Sequence, residues 1–157
     1  VAACRRAAPD VPLLAKLALE GVVQNALAAE AAGADGLTVM NTVPALAVDA
    51  RARRVLLRGG LSGPAIKPLA LRAVYDVASA AEIPVVGCGG VCSGADVAEF
   101  MLAGARAVQV GSAGFVRDPA EILAEFERYL REEGLAASEL AGALLPAQGA
   151  RPVPSER

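Results

Sequence analysis

Segments of strand type and helix type alternate four times along this chain, and twice the joint from helix to strand is written with the same three residues, Ala32-Gly33-Ala34 and Ala103-Gly104-Ala105. Short apolar runs at 11–16, 36–40, 83–87 and 107–110 read as strands. Helical patterns follow them at 22–32, 65–81, 97–103 and from Asp118-Pro119 to about 133. Ser93 and Asp118 are candidate N-caps, and Pro68 and Pro119 sit in first turns, where a missing N–H costs least. Such alternation predicts a parallel sheet with helices outside it. Strands without a polar face are what a doubly covered parallel sheet requires. The segment 41–63 interrupts the rhythm and reads as a long irregular excursion. Its part 49–58 reads as solvated or as a contact with another subunit. Four βα units are half of a (β/α)8 barrel, and a complete one takes ~250 residues. The fold class expected of these 157 residues is therefore α/β, the C-terminal half of a TIM barrel in about four βα units. Residues 1–133 form the half-barrel, and 134–157, with Pro146, Pro152 and Pro154, form an extension expected to be largely disordered.

Composition narrows the chemistry. With 55% hydrophobic residues the chain has ample core, yet no run approaches the ~20 residues that span a bilayer. Aromatics are only 3% and the net charge is −2, so no basic, aromatic nucleic-acid footprint exists. Cys4, Cys88 and Cys92 are an odd number with no framework spacing, which suits a reducing compartment and a cytoplasmic location. The chain begins with Val1 and shows no signal-peptide pattern, as expected of a processed chain or a piece of something longer. Histidine is absent, which removes Ser-His-Asp and Cys-His catalysis from this chain. Cys88 and Cys92 are too few to close a metal site, so none is expected. Chemistry supplied by a cofactor is the remaining expectation.

Polar and glycine residues gather where strands end, the face on which such barrels build their sites. Lys16 ends the first strand and is one of only two lysines among fifteen basic residues. It reads either as a cation beside a cofactor or oxyanion, or as an ordinary strand-end lysine. Asn41 and Thr42 end the second strand; an amide there suits a planar ring that alternates N–H and C=O, and equally suits a turn. Gly87-Cys-Gly-Gly90 and Gly111-Ser112 end the last two strands. Close-lying backbone N–H groups there can hold a phosphate, the group bound after the last strands of this fold; tight turns alone are the other reading. Lys67 is expected to pair with an acid or to be solvated.

The strings Leu14-Ala-Lys-Leu17, Gly33-Ala-Asp-Gly-Leu-Thr38, Asn41-Thr42, Gly59-Gly-Leu-Ser-Gly-Pro-Ala-Ile-Lys-Pro68, Gly89-Gly90 and Ala107-Val-Gln-Val-Gly111 occur in this order and spacing. Together they resemble the C-terminal half of class 1 dihydroorotate dehydrogenase, most closely the NAD-linked class 1B, over about residues 1–130. The resemblance implies an FMN-dependent oxidation of dihydroorotate to orotate in pyrimidine biosynthesis. It implies Lys16 near the flavin ring, Asn41 and Thr42 at the orotate ring, and Ser62 and Gly63 against the flavin. It also implies Gly89, Gly90, Gly111 and Ser112 at the FMN phosphate. Ser112 replaces the family's usual Thr and keeps the hydroxyl. The implied partners are a second copy of the full-length subunit and an electron-transfer subunit carrying FAD and an iron–sulfur cluster. Ala18-Leu19-Glu20 depart from the Ser/Thr-Pro-Asn type of turn usual in the family. The family's catalytic base, a Cys or Ser, lies in the N-terminal half, upstream of Val1, and Cys4 is not that base. A dihydropyrimidine dehydrogenase-like FMN barrel and a non-catalytic half-barrel that binds phosphate or FMN are the alternatives.

Overall fold

The computed structural model describes residues 1–146. A leading helix α1 (Ala2–Ala7) precedes β1 (Leu14–Leu17), α2 (Val22–Ala31), β2 (Gly36–Val39), β3 (Val43–Asp49) and β4 (Arg54–Leu61). Then come α3 (Lys67–Ala78), β5 (Val85–Cys88), α4 (Gly94–Leu102), β6 (Ala105–Gln109), α5 (Pro119–Glu133) and a single turn, α6 (Ala137–Leu140). Strands β1, β2, β5 and β6 form one parallel sheet in chain order. Order is what separates barrel from open sheet. A doubly wound sheet reverses its strand order to place helices on both faces. Here every right-handed crossover adds the next strand on the same side, so α2, α3 and α4 line one face in succession. This is an arc of a (β/α)8 barrel with four of its βα units.

Burial explains the arc. All of β2 is buried, as the inner position between β1 and β5 requires. On β5, Val85 and Gly87 face the helices, and Phe100 of α4, fully buried, fills the space over Gly87. Val39, Ile66, Val74 and Val77 complete this core. Strand β1 begins at Leu14, later than the apolar run suggests, because the Leu13 N–H is drawn to the Asp35 carboxylate at 2.7 Å. Arg5 holds the same carboxylate and, at 3.0 Å, the Gly33 carbonyl, pinning α1 under the first joint. The N-caps are as expected: Ser93 Oγ accepts from the Asp96 N–H at 3.2 Å and Asp118 Oδ1 from the Ala120 N–H at 2.9 Å.

Two expectations differ from the structure. Residues 41–63 are not irregular: β3 and β4 pair as an antiparallel hairpin, with a register shift between Ala47 and Val48. Its turn is closed by Asp49 Oδ1, which accepts from the N–H groups of Arg51 and Ala52, each at 3.0 Å. Nearly every hairpin residue is exposed, so no one-sided alternation marked the strands. The segment after Glu133 is also more ordered than expected. Leu140 is buried with Ala98, Met101 and Phe126. The N–H groups of Gly142 and Leu144 donate to the carbonyls of Met101 and Leu102 at 2.8 and 3.1 Å. The rest of the expected disordered tail, residues 147–157, lies outside the described residues. Among the described residues no helix is long and apolar enough to cross a membrane.

Candidate active site

The C-terminal ends of the sheet strands converge on a cavity of about 400 Å³, lined in part by the 3-10 turns that follow β4 and β6. Every residue to which the resemblance gives a site role lines it: Lys16, Asn41, Thr42, Ser62, Gly63, Gly89, Gly90, Gly111 and Ser112. They come from five separate stretches of chain. Four of the stretches lie at the ends of parallel strands, which all finish on one face, and the fifth, Ser62-Gly63, follows hairpin strand β4.

Backbone geometry gives the floor of the cavity its shape. Gly89 has φ +136° and Gly90 has φ +76°, where a side chain is strained. Space is closed as well: a Cβ on Gly90 would lie 2.8 Å from the Gly63 carbonyl oxygen and 2.8 Å from the Lys67 nitrogen. The turn after β5 therefore nests against the start of α3. Across the cavity floor, the amides of Gly89, Gly90, Gly111 and Ser112 donate to no other protein group among the described residues. Unpaired N–H groups on two neighbouring turns are the donor set a phosphate takes. A Cβ on Gly111 would meet nothing within 4 Å, so this turn borders open space.

Lys16 stands exposed at the rim with no acidic partner within salt-bridge distance among the described residues. Its level in the sheet is that of Thr38 and Val86. Asn41 and Thr42 follow the cis Val39–Met40 peptide. The Met40 N–H donates to the Cys88 carbonyl at 2.7 Å and the Asn41 N–H to the Leu17 carbonyl at 2.8 Å, which ties this segment to both neighbouring strands.

Lys67 lies outside the cavity lining and is paired, as one of its two sequence readings held. Its Nζ donates to Asp96 Oδ1 at 2.6 Å and lies 2.9 Å from Glu99 Oε2. Those hydrogen bonds, Asp96 first, raise the lysine above its ordinary pKa. Burial of the Asp96 carboxyl pushes its pKa up, but Lys67, the Cys92 N–H and Ser93 outweigh it and hold the group below its ordinary value.

The cavity also takes Met40, Ile66, Cys88, Val91 and Phe115, none of which was singled out as a site residue. Met40, Ile66 and Val91 are buried apolar residues that nothing in the sequence separates from core. Phe115 is 90% exposed on the 3-10 turn. As one of only three phenylalanines, placed three residues after Ser112, it offered the one available signal.

Comparison with known proteins gives the family. Residues 1–132 match the family model described as dihydroorotate dehydrogenase. The chain belongs to the dihydroorotate dehydrogenase family. The catalytic subunit of dihydroorotate dehydrogenase B (NAD(+)) of Trichlorobacter lovleyi is 51% identical over 152 residues, which cover 92% of this chain and 50% of the relative. Its counterpart in Pyrococcus abyssi is 49% identical over 133 residues, covering 80% of this chain and 44% of the relative. A Solibacter usitatus protein provisionally named dihydroorotate dehydrogenase A (fumarate) is 48% identical, covering 92% and 50%. The chain spans about half the length of the curated relatives it matches.

Proposed function

We propose that the protein containing this chain oxidises dihydroorotate to orotate, with FMN held in the cavity at the strand ends. One observation carries the reading. Two consecutive glycine turns, whose amides have no protein acceptor among the described residues, face the same cavity as a lysine without an acidic partner among those residues and an Asn-Thr pair. In this reading Gly89, Gly90, Gly111 and Ser112 hold the FMN phosphate with backbone N–H groups and the Ser112 hydroxyl. Ser62 and Gly63 lie against the flavin. Bound there, the flavin supplies the two-electron acceptor for the substrate hydride.

The chain's own residues do the rest by placement. The Lys16 ammonium puts a fixed positive charge where negative charge builds on the reduced ring, and such preorganised charge is worth most where it develops during reaction. The Asn41 amide supplies both donor and acceptor to a pyrimidine ring, and the Thr42 hydroxyl supplies a second polar contact. No residue of this chain is assigned as the proton acceptor, which the family resemblance places on the other half of the barrel. That resemblance also supports a homodimer of the full-length subunit, an FAD and iron–sulfur partner subunit, NAD(+) as final acceptor, and a cytoplasmic location for a chain whose three cysteines are free.

The test uses the product of the complete reading frame, purified with its flavin. Addition of dihydroorotate without oxygen should bleach the flavin band, and dihydrouracil should not. Bleaching by dihydrouracil instead would move the substrate to that of dihydropyrimidine dehydrogenase. A protein that neither carries nor takes up FMN would remove the cofactor and the reaction together.

A further inference from the structure

The two glycine turns are joined behind the cavity by a polar bracket. Its centre is the short link Cys92-Ser93-Gly94, which carries the chain from the first turn into α4. The Cys92 N–H donates to Asp96 Oδ2 at 2.8 Å, and Asp96 Oδ1 in turn takes the Lys67 ammonium at 2.6 Å. The Cys92 carbonyl accepts from Arg117 Nη1 at 3.0 Å. Arg117 pairs with Glu125 through both terminal nitrogens. Glu125 Oε2 also accepts the Gly94 N–H, at 2.9 Å. Both backbone polar groups of Cys92 are thus gripped, each by a different side chain.

The two ends of this bracket reach the two turns. Lys67 is the residue whose backbone nitrogen and Cβ the Gly90 turn touches. Arg117 closes the 3-10 turn that begins at Ser112, its N–H donating to the Ala113 carbonyl at 3.0 Å. Moving the Ser112 turn relative to the Gly90 turn would therefore break bonds to a guanidinium fork and to a half-buried lysine. The guanidinium matters for its shape, since a planar fork serves a carboxylate and a carbonyl at once where an ammonium cannot.

We propose that Arg117, Glu125, Asp96 and Lys67 are positioning residues that fix the spacing of the Gly89-Gly90 and Gly111-Ser112 amides, and so set the protein's preference for a phosphorylated flavin. None of the four lines the cavity. Their effect reaches the ligand through the two turns alone, and it rests on the reading that these turns hold a phosphate.

FMN and riboflavin separate the two ideas, because they share a ring and differ in the phosphate. The experiment measures both dissociation constants by quenching of flavin fluorescence, on the complete protein stripped of flavin. Tighter binding of FMN by the parent protein tests the phosphate reading, and equal binding of the two flavins overturns it and this inference with it. For Arg117→Ala and Asp96→Asn, FMN binding should weaken by ~10-fold, the scale on which supporting partners act at other ligand sites, while riboflavin binding stays within about twofold. A parent that prefers FMN beside folded variants with the same preference would overturn the bracket alone. Should Arg117→Ala not fold, Arg117→Lys keeps the charge and stem but loses the fork, and the same criterion applies to it.

Discussion

Gly90→Ala is the sharpest test of how the cavity floor is built. Two costs add. Alanine at φ +76° sits in the left-handed region, which costs about 1–2 kcal/mol. Its Cβ would lie 2.8 Å from the Gly63 oxygen, the Lys67 nitrogen and the Lys67 Cβ. Two of these are backbone atoms that no rotamer change can move, so an overpacking cost of about 1–3 kcal/mol applies. The expected loss is about 2–5 kcal/mol. Gly59→Ala is the control: a Cβ there meets nothing within 4 Å and its φ is not positive, so the change should stay within about 0.5 kcal/mol. Urea unfolding of the flavin-free complete protein measures both, because bound ligand would add its own stabilisation. The midpoint should fall for Gly90→Ala at an unchanged slope. A loss under about 0.5 kcal/mol, inside the ordinary range for exposed sites, would mean that the turn is not nested against α3 as described.

Lys16→Ala should leave stability within about 0.5 kcal/mol, since this side chain is exposed and has no acidic partner among the described residues. It should slow flavin reduction by dihydroorotate in rapid mixing; unchanged kinetics would contradict a flavin role. Leu140→Ala should cost about 2–5 kcal/mol in urea, because Leu140 is 3% exposed against α4 and α5; a neutral result would detach the segment after Glu133 from the fold. The Lys67–Asp96 pair should contribute stability across the neutral range and lose it at both extremes. Asp96 is held below its ordinary pKa, so its contribution is present above the ordinary carboxylate value and lost as pH falls through the lowered one. Lys67 is raised, so its share is present below the ordinary lysine value and lost as pH rises through the raised one. Urea midpoints against pH should show an acid limb that is shallower in Asp96→Asn; an identical limb would put the acid sensitivity elsewhere.

The candidate residues that line the cavity were legible in the sequence because their types are rare and their positions regular. A lysine or an Asn-Thr pair directly after an apolar run sits at a strand end, and in a parallel sheet every strand ends on the same face. The string from Gly59 to Pro68 and the glycines at 89, 90 and 111 added a family to that local logic. The hairpin was not legible in the same way. With both faces of β3 and β4 exposed, its residues carry no burial pattern, and Asp49 closes it without an Asn-Gly signal. Nor was the ordering of residues 137–145 visible, since it depends on a hydrophobic contact with Phe126 and Met101, partners far away in sequence or on another helix.

Local rules belong to the chain itself: alternation, caps, glycine stops, and which residues end each strand. They depend on a few neighbouring residues, so sequence alone determines them, and with them the βα order and which polar and glycine residues stand at strand ends. Tertiary structure alone decided what those residues share. The nesting of Gly90 on Lys67, the Asp96 and Arg117 grips on the backbone of Cys92, and the amides of two turns in one cavity join residues up to 31 positions apart, as Arg117 Nη1 on the Cys92 carbonyl and the Gly94 N–H on Glu125 do across 25 and 31. The reason is physical. Donors and charges find partners by distance through space, and that distance is set by how the sheet curves and the helices pack upon it.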